Sequence, residues 1–402
     1  MKQLLTFATT LVLATTGTFA QQPAPATPGA DRARGPGRGG GTPVTALRSP
    51  EVHADRTVTL RFRAPQATQV DVVGEIMQGA GPRPMTKGDD GVWAAKIGPL
   101  PPEIWSYNFR LQGVDVTDPS NPAIKPTPPG QAMSSFVEVP GDAPAFYDSK
   151  PVPHGEVRMM LYESKPMAVT RWLWVYTPPG YDRSAARYPV LYLLHGNGEA
   201  QNGWVMNGRA NIILDNVIAE RKAVPMIVVM PQGHALQGAG VGPLERIAGE
   251  TGMFSDRFPR DLVEEVIPLV ERTYRTAPGA DNRAIAGLSM GGGQALTIGL
   301  ANTDRFGYVL GFSAAVGGQF ANPDATLQKA RESSALLNSR LKLLWISVGR
   351  QDFLYQGNKA FSEALTAAGI KVNYQETEGA HVWSVWRKNL NDTLPLLFNK
   401  GR

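Results

Sequence analysis

One serine stands between two glycines in the segment Gly287-Leu288-Ser289-Met290-Gly291, a pattern typical of a sharp turn that presents a nucleophile. The apolar residues 283–286 predict a buried parallel strand before it, and residues 292–301 predict a helix after it. On such a turn the serine hydroxyl is exposed, and the N–H of the next residue, Met290, can face an oxyanion. Because about 0.2 matches to this pattern are expected by chance in such a chain, the partners of Ser289 must support the assignment.

A serine hydroxyl becomes an effective nucleophile only beside an imidazole that takes its proton. The chain has five histidines, and His381 alone lies after Ser289. In α/β hydrolases the serine, the acid and the histidine follow one another in that order along the chain. His381 is therefore the predicted general base, against the alternative of a surface histidine without a catalytic role.

The predicted acid is Asp352, which follows the apolar run 343–348 through Gly349-Arg350-Gln351. The spacings from Ser289 to Asp352 and from Asp352 to His381 each leave room for a helical crossover between parallel strands. Glu378 is a competing acid, but it lies on the histidine's own loop, so Asp352 is preferred. The structural alternative for Asp352 is a helix N-cap or a turn aspartate.

A second oxyanion N–H is expected from the loop His195-Gly196-Asn197-Gly198, which directly follows the apolar run 188–194. Gly196 or Asn197 is predicted to donate its backbone N–H toward the same oxygen as Met290. His195 itself is predicted to have a structural role rather than that of a base.

Two tryptophans near these loops are candidate substrate contacts. Trp204 follows the oxyanion loop and can line an acyl pocket, with core packing an equal alternative. Trp383 follows His381 by two residues, and either indole can stack on a phenolic ring or a sugar.

The surrounding elements predict a doubly wound α/β domain over residues 155–402. Nearly continuous apolar runs at 188–194, 226–230 and 343–348 predict strands that are buried on both faces. Residues 170–176 alternate like an antiparallel edge strand, residues 371–375 predict a strand that leads to His381, and 260–274 and 358–368 predict helices. In this architecture, loops at the carboxyl ends of the strands carry the functional side chains.

The first 154 residues differ from the rest of the chain in composition and in hydrophobic pattern. Residues 1–20 have a basic start, a short apolar run and small residues before Gln21, which predicts a cleaved secretory signal peptide and hence a secreted or periplasmic protein, with a membrane anchor as the alternative. Residues 21–43 are rich in Gly and Pro and predict a disordered leader.

A small β-sandwich is predicted over residues 44–140, from alternating segments at 57–62, 69–73, 91–97, 105–111 and 135–139. Residues 141–154 predict a linker.

Composition excludes several classes of function. The chain has no cysteine, which rules out thiolate nucleophiles, cysteine zinc sites and iron–sulfur clusters, and the predicted chemistry needs no metal or cofactor. The formal charge of +5 falls mainly in the first 43 residues, so nucleic acid is not an expected partner. No stretch approaches the roughly 20 apolar residues of a membrane span. The sequence leaves the oligomeric state open.

Part of the predicted sandwich resembles a known module. Asp90-Gly91-Val92-Trp93, Tyr107-Asn108-Phe109 and Asp118-Pro119-Ser120-Asn121-Pro122 resemble the immunoglobulin-like early-set module related to family 48 carbohydrate-binding modules, over about residues 45–140. The resemblance implies either glucan binding or a spacer or lid before an esterase. Trp93 and Trp105 are expected in the core rather than on an exposed platform.

The second part resembles the esterase-D family through four motifs in the family's order: Tyr188 to Gly196, Ala286 to Gly292, Gly349 to Asp352, and Gly379 to Trp383. That family includes feruloyl and acetyl-xylan esterases of carbohydrate esterase family 1, enterochelin esterases, S-formylglutathione hydrolases and mycolyltransferases. The resemblance covers about residues 155–398. It implies a serine carboxylesterase, and feruloyl or acetyl esters on plant polysaccharide are the expected substrates.

Three other functions stay open at the level of sequence. A siderophore ester of the enterochelin type is anionic and would favour a cleft lined by arginine, for which Arg209, Arg257, Arg350 and Arg387 are candidates. Acyl transfer to an alcohol uses the same catalytic residues as hydrolysis. A glycan-binding protein built on a hydrolase fold would need no catalysis at all, and loss of a catalytic residue would be its signature.

Overall fold

The computed structural model describes residues 47–125, 133–235, 255–316 and 323–399. The predicted signal peptide and leader therefore lie outside the described residues. The strands and helices occur in the following order: β1 (Glu51–Val52), β2 (Val58–Arg63), β3 (Val70–Val73), β4 (Arg83–Pro84), β5 (Thr86–Lys87), β6 (Val92–Ile97), β7 (Glu103–Leu111), β8 (Val114–Val116), β9 (Ile124–Lys125), β10 (Ser134–Val139), β11 (Glu156–Ser164), β12 (Val169–Thr177), β13 (Val190–Leu194), α1 (Gly203–Met206), α2 (Ala210–Ala219), β14 (Ile227–Pro231), α3 (Arg257–Arg260), α4 (Ile267–Thr273), β15 (Arg283–Leu288), α5 (Met290–Ala301), β16 (Tyr308–Phe312), α6 (Pro323–Glu332), α7 (Ser334–Arg340), β17 (Leu343–Gly349), α8 (Tyr355–Ala367), β18 (Asn373–Thr377) and α9 (Trp383–Thr393).

Strands β1 to β10 form two antiparallel sheets that pack face to face. One sheet has the order β1-β2-β6-β5, and the other has the order β4-β3-β7-β10-β9 with β8 beside β7. Alternate residues of these strands, such as Val58 and Leu60 of β2, enter one hydrophobic core. The predicted sandwich strands are therefore present, with ends that differ by up to two residues. Trp93 is buried and donates to the Ala64 carbonyl, which confirms its placement in the core.

Strands β11 to β18 form one eight-stranded sheet with the order β11-β12-β14-β13-β15-β16-β17-β18. The six strands β13 to β18 are parallel to one another, whereas β11 and β12 are antiparallel to their neighbours. Both faces of the sheet are covered, because Val190 and Tyr192 of β13 enter one core and the intervening Leu191 enters the other. This arrangement is the doubly wound α/β fold that the continuous apolar runs predict.

One sequence prediction about this sheet is wrong, and the predicted helix after Ser289 is present with an earlier start. Residues 170–176 were expected at its edge, but β12 lies between β11 and β14, so the edge strand is β11. The helix after Ser289 begins at Met290 rather than at Gly292. The helix predicted over 260–274 is present as α3, a π-helical segment (Asp261–Val266) and α4 in direct succession.

The sandwich packs on the α/β sheet within one compact unit, Ala46–Arg402. Ile104 of β7 and Tyr147 of the predicted linker enter the same hydrophobic core as Leu191. An ion pair of 2.5 Å joins Glu103 of β7 to Arg387 of α9, and the Arg387 side chain is 1% exposed. Contacts of this kind hold the sandwich against the loops of the α/β sheet, while the boundaries at residues 140 and 155 stay predictions.

Candidate active site

Ser289 occupies the turn between β15 and α5 with backbone angles φ 53° and ψ −117°. A positive φ is costly for a residue with a side chain and is maintained only where the surroundings enforce it. Backbone hydrogen bonds from the Ser289 N–H to the Phe312 carbonyl and from the Ala315 N–H to the Ser289 carbonyl hold it here. The flanking glycines permit the close packing of the turn, because a Cβ on Gly287 would lie 2.3 Å from the Gly291 carbonyl oxygen and one on Gly291 would lie 2.5 Å from the His195 carbonyl oxygen. The predicted nucleophile elbow therefore has its expected backbone.

The structure brings Ser289, His381 and Asp352 into one hydrogen-bonded chain. The Nε2 atom of His381 lies 2.9 Å from Ser289 Oγ. Its Nδ1 atom lies 2.9 Å and 3.0 Å from the two carboxylate oxygens of Asp352. The three side chains come from loops after β15, β17 and β18, at the common carboxyl edge of the parallel strands.

The Asp352 carboxylate is fully buried, whereas 19% of the His381 side chain is exposed. Asp352 Oδ1 also accepts the Leu354 N–H at 2.8 Å, which fixes the rotation of the carboxylate. Asn358 of α8 holds this loop to the end of β16 through the Ala314 N–H and carbonyl. A buried carboxylate that is fixed in this way can orient an imidazole and stabilise its protonated form.

The oxyanion loop, His195 to Glu199, follows β13 and passes beside the nucleophile. A Cβ placed on Gly196 would lie 2.6 Å from Leu288 Cδ1 and 3.5 Å from Ser289 Cβ, so the glycine allows the loop to pack closely on Leu288 while it lies in contact distance of the serine. Met290 is the first residue of α5, where backbone N–H groups have no partner within the helix. Met290 and Gly196 therefore both lie beside Ser289, Asn197 is the next, half-buried residue of the loop, and their role as oxyanion donors stays a prediction.

His195 is buried beneath this loop. Its Nδ1 lies 2.8 Å from the Gly196 carbonyl and its Nε2 accepts the Gly233 N–H at 2.8 Å. Gln232 Oε1 also lies 2.7 Å from Nε2, but the Gly233 N–H has a fixed direction, so Nε2 is the acceptor of that bond and Nδ1 carries the proton that is donated to the Gly196 carbonyl. Burial lowers the pKa of His195 to about 4. The ring is thus neutral and structural, and it supports the loop.

The buried His195 predicts a loss of stability in acid. Its pKa is about 4 in the folded protein against 6.5 normally, so the unfolded chain binds its proton first and stability falls as the pH drops through this window. We expect about 2 kcal/mol less unfolding free energy from this group at pH 5 than at pH 7. Urea unfolding at both values should show a smaller difference for His195→Gln than for the parent, and an unchanged difference would contradict the assignment.

The structure does not support Trp204 and Trp383 as substrate contacts. Their exposed fractions are 1% and 2%, and their rings pack edge to face at 5.2 Å. The Trp204 indole N–H donates to the Leu194 carbonyl, and that of Trp383 donates to Glu199. Both indoles belong to the same hydrophobic core as Leu191 and support the loops beside them.

Two residues at the site escaped the sequence analysis. The Phe353 ring is 69% exposed although its centroid lies 4.5 Å from that of His381. Glu199, in contrast, is a carboxylate that is only 3% exposed. The position of Phe353 directly after the predicted acid was an available signal, but nothing local distinguishes Glu199 from a solvated surface glutamate.

The competing acid and the candidate arginines have other partners. Glu378 binds Arg350 at 2.7 Å, and Arg350 also binds Glu376. Arg209 pairs with Glu138, and the buried Arg387 pairs with Glu103 as described above. Among the residues that the structure describes, no group of three or more His, Asp or Glu side chains is arranged to hold a metal ion.

A doubly wound sheet with a serine elbow and with histidine and aspartate loops at its carboxyl edge is the architecture of the α/β-hydrolase class. The comparison with protein families is more specific: residues 164–397 match the family described as "Putative esterase". The chain belongs to this esterase family.

Three relatives illustrate the similarity. An endo-1,4-β-xylanase/feruloyl esterase of Xylanibacter ruminicola is 30% identical over 87% of this chain and 46% of its own length. A ferulic acid esterase of Anaeromyces mucronatus, solved with ferulic acid, is 25% identical with a TM-score of 0.53, over 64% of this chain and 96% of that one. An enterochelin esterase of Shigella flexneri shares the fold, with 19% identity, a TM-score of 0.66, and coverage of 87% and 94%. The chain spans about half the length of the curated relatives that it matches first.

Proposed function

We propose that this protein is a serine carboxylesterase in which Ser289 is the nucleophile, His381 the general base and Asp352 the acid that orients it. The observation that carries the proposal is the hydrogen-bonded chain from Ser289 Oγ through both nitrogens of His381 to the Asp352 carboxylate. Membership of the esterase family supports the same reading.

In the proposed mechanism, His381 Nε2 takes the Ser289 hydroxyl proton as Oγ attacks the ester carbonyl carbon. The N–H groups of Met290 and of Gly196 or Asn197 stabilise the oxyanion, and the imidazolium, held by Asp352, then protonates the departing alcohol. Water, activated by the same imidazole, hydrolyses the acyl-enzyme and restores the serine. Every step uses side chains and amides of this chain alone.

We propose feruloyl or acetyl esters on plant polysaccharide as the substrates. The exposed Phe353 ring beside His381 offers a flat apolar surface within reach of an acyl group, which suits an aromatic acid. Similarity to a xylanase/feruloyl esterase and to a ferulic acid esterase favours the same class. Export by the predicted signal peptide would bring the enzyme to such a substrate.

An anionic siderophore ester is the weaker alternative. It would need cationic side chains that are open to the cleft, but Arg387 is buried in an ion pair with Glu103 and Arg350 is held by two glutamates. Acyl transfer to an alcohol is distinguished by product analysis with a competing alcohol. A purely glycan-binding role is disfavoured because Ser289, His381 and Asp352 are all present and connected.

A hydrolysis panel tests the proposal. The mature protein is assayed on methyl ferulate, acetylated xylan, a nitrophenyl acetate and ferric enterochelin, with Ser289→Ala as the blank for each. We expect the aromatic or acetyl esters to be cleaved well above the blank. Activity confined to ferric enterochelin would transfer the proposal to the siderophore class, and activity equal to the blank throughout would refute esterase function.

Replacing Phe353 tests the substrate class directly. Phe353→Ala should raise KM for methyl ferulate by roughly 3- to 10-fold, because an aromatic pair contributes about 0.5–1.5 kcal/mol, and it should leave KM for nitrophenyl acetate nearly unchanged. Met159→Ala, at a position 63% exposed on β11, is the control for loss of an exposed apolar side chain. An equal change for both esters would show that Phe353 acts on the catalytic loop and not on the acyl ring.

A further inference from the structure

Glu199 is a buried carboxylate that the proposed mechanism does not use. Its side chain is 4% exposed, and burial raises its pKa. Its backbone N–H donates to the Gly196 carbonyl at 3.1 Å, so the residue closes the oxyanion loop. Glu199 is therefore joined directly to Gly196, one of the predicted oxyanion donors.

Glu199 also connects the oxyanion loop to the histidine loop. Its Oε1 accepts the indole N–H of Trp383 at 3.0 Å, and Trp383 begins α9 directly after the His381 loop. Its Oε2 accepts the amide of Asn207. These neutral donors satisfy hydrogen bonds, but they do not supply the positive charge that a buried carboxylate requires.

That charge comes from the β-sandwich. Lys125 Nζ, on β9 at the edge of the second sandwich sheet, lies 3.1 Å from Glu199 Oε1, and its side chain is 21% exposed. Lys125 is the cation that the described part of the chain pairs with Glu199. A second connection runs in parallel, because Arg387 donates to the Asn207 carbonyl and is itself paired with Glu103 of β7.

We propose that Lys125 and Glu199 form a positioning pair through which the β-sandwich holds the oxyanion loop against Ser289. The sandwich is then a structural part of the active site rather than a spacer. This inference rests on the proposed esterase function for its effect on catalysis, although its effect on the loop is independent of that function.

Loss of the lysine should affect turnover more than substrate binding. Lys125→Met leaves Glu199 buried without a cation, so the carboxylate either takes a proton or draws water into the loop, and both shift the loop. Because a displacement of about 1 Å at the reacting groups costs roughly 100-fold, we expect kcat on nitrophenyl acetate to fall by about 10- to 100-fold with little change in KM.

Three further variants separate positioning from a general loss of structure. Lys125→Arg should recover most of kcat because it restores the cation. Adding Glu199→Gln to Lys125→Met should recover part of kcat because it removes the unpaired buried charge. Glu138→Gln breaks a different ion pair of the sandwich, that with Arg209, and does not touch the oxyanion loop, so it should keep kcat within about twofold.

Hydrogen exchange provides a readout that does not depend on activity. Amides of residues 195–203 should exchange faster in Lys125→Met than in the parent or in Glu138→Gln, with similar melting temperatures. Equal exchange in that segment, or equal kcat losses in Lys125→Met and Glu138→Gln, would overturn the proposal. If the parent cleaves no ester, the esterase proposal fails, while faster exchange in Lys125→Met alone would still support the positioning pair.

Discussion

Ser289→Ala is expected to lower kcat on every cleaved ester by at least about 10⁴-fold, while leaving the fold intact. The alanine removes the oxygen that forms the acyl-enzyme, and within the described residues Ser289 Oγ is the hydrogen-bond partner of His381 Nε2. The measurement is the initial rate on nitrophenyl acetate and methyl ferulate with matched preparations.

The unusual backbone of Ser289 makes a stability control necessary. With φ at 53°, alanine faces the same steric cost as serine, so the melting temperature of Ser289→Ala should stay within a few degrees of that of the parent. A phosphonate or fluorophosphonate probe should label the parent at Ser289 and not the variant. Undiminished turnover in a folded Ser289→Ala protein would remove this serine from the mechanism.

The positions of the three catalytic candidates were predictable because of the chemistry of parallel sheets. Continuous apolar runs indicated buried parallel strands, and the carboxyl ends of such strands meet at one edge. Ser289, Asp352 and His381 each follow a different strand, so residues that are far apart in sequence had to meet there. Their order along the chain supplied the rest of the assignment.

The edge strand β11 and the roles of the tryptophans could not be predicted in the same way. Residues 156–164 mix charged and apolar side chains, and Met159 and Leu161 are exposed, so their pattern lacks a clear buried face. The burial of Trp204 and Trp383 depends on α9 and the sandwich packing over the sheet, which is a tertiary contact that no local pattern encodes.

Glu199 illustrates a more general difficulty. Its immediate neighbours are the small residues Gly198 and Ala200 and its loop contains glycines, so no local apolar pattern indicates burial. The cation that offsets part of the cost of burying its charge is Lys125, 74 positions earlier in the sequence. Long-range charge pairing of this kind requires the relative placement of two sheets and is inaccessible to an analysis by periodicity and spacing.

Asp352→Asn is expected to lower kcat by about 10³- to 10⁴-fold, whereas Glu378→Gln should change it by less than about twofold. Asp352 Oδ1 accepts the Leu354 N–H, so an asparagine would keep its oxygen there and turn its amide N–H₂ toward His381 Nδ1. The imidazole would then carry its proton on Nε2, where it cannot accept the serine proton.

Glu378→Gln is a matched control because both variants replace a carboxylate with its amide near the same histidine. The Glu378 side chain is 72% exposed and pairs with Arg350. Water can replace the lost ion pair, so the substitution should have little effect on the site. Steady-state rates on nitrophenyl acetate, with unfolding midpoints for both variants, decide between the two acids. The geometry favours Asp352, whose oxygens lie 2.9 Å and 3.0 Å from His381 Nδ1. An inactive Glu378→Gln together with an active Asp352→Asn would reassign the catalytic acid to Glu378.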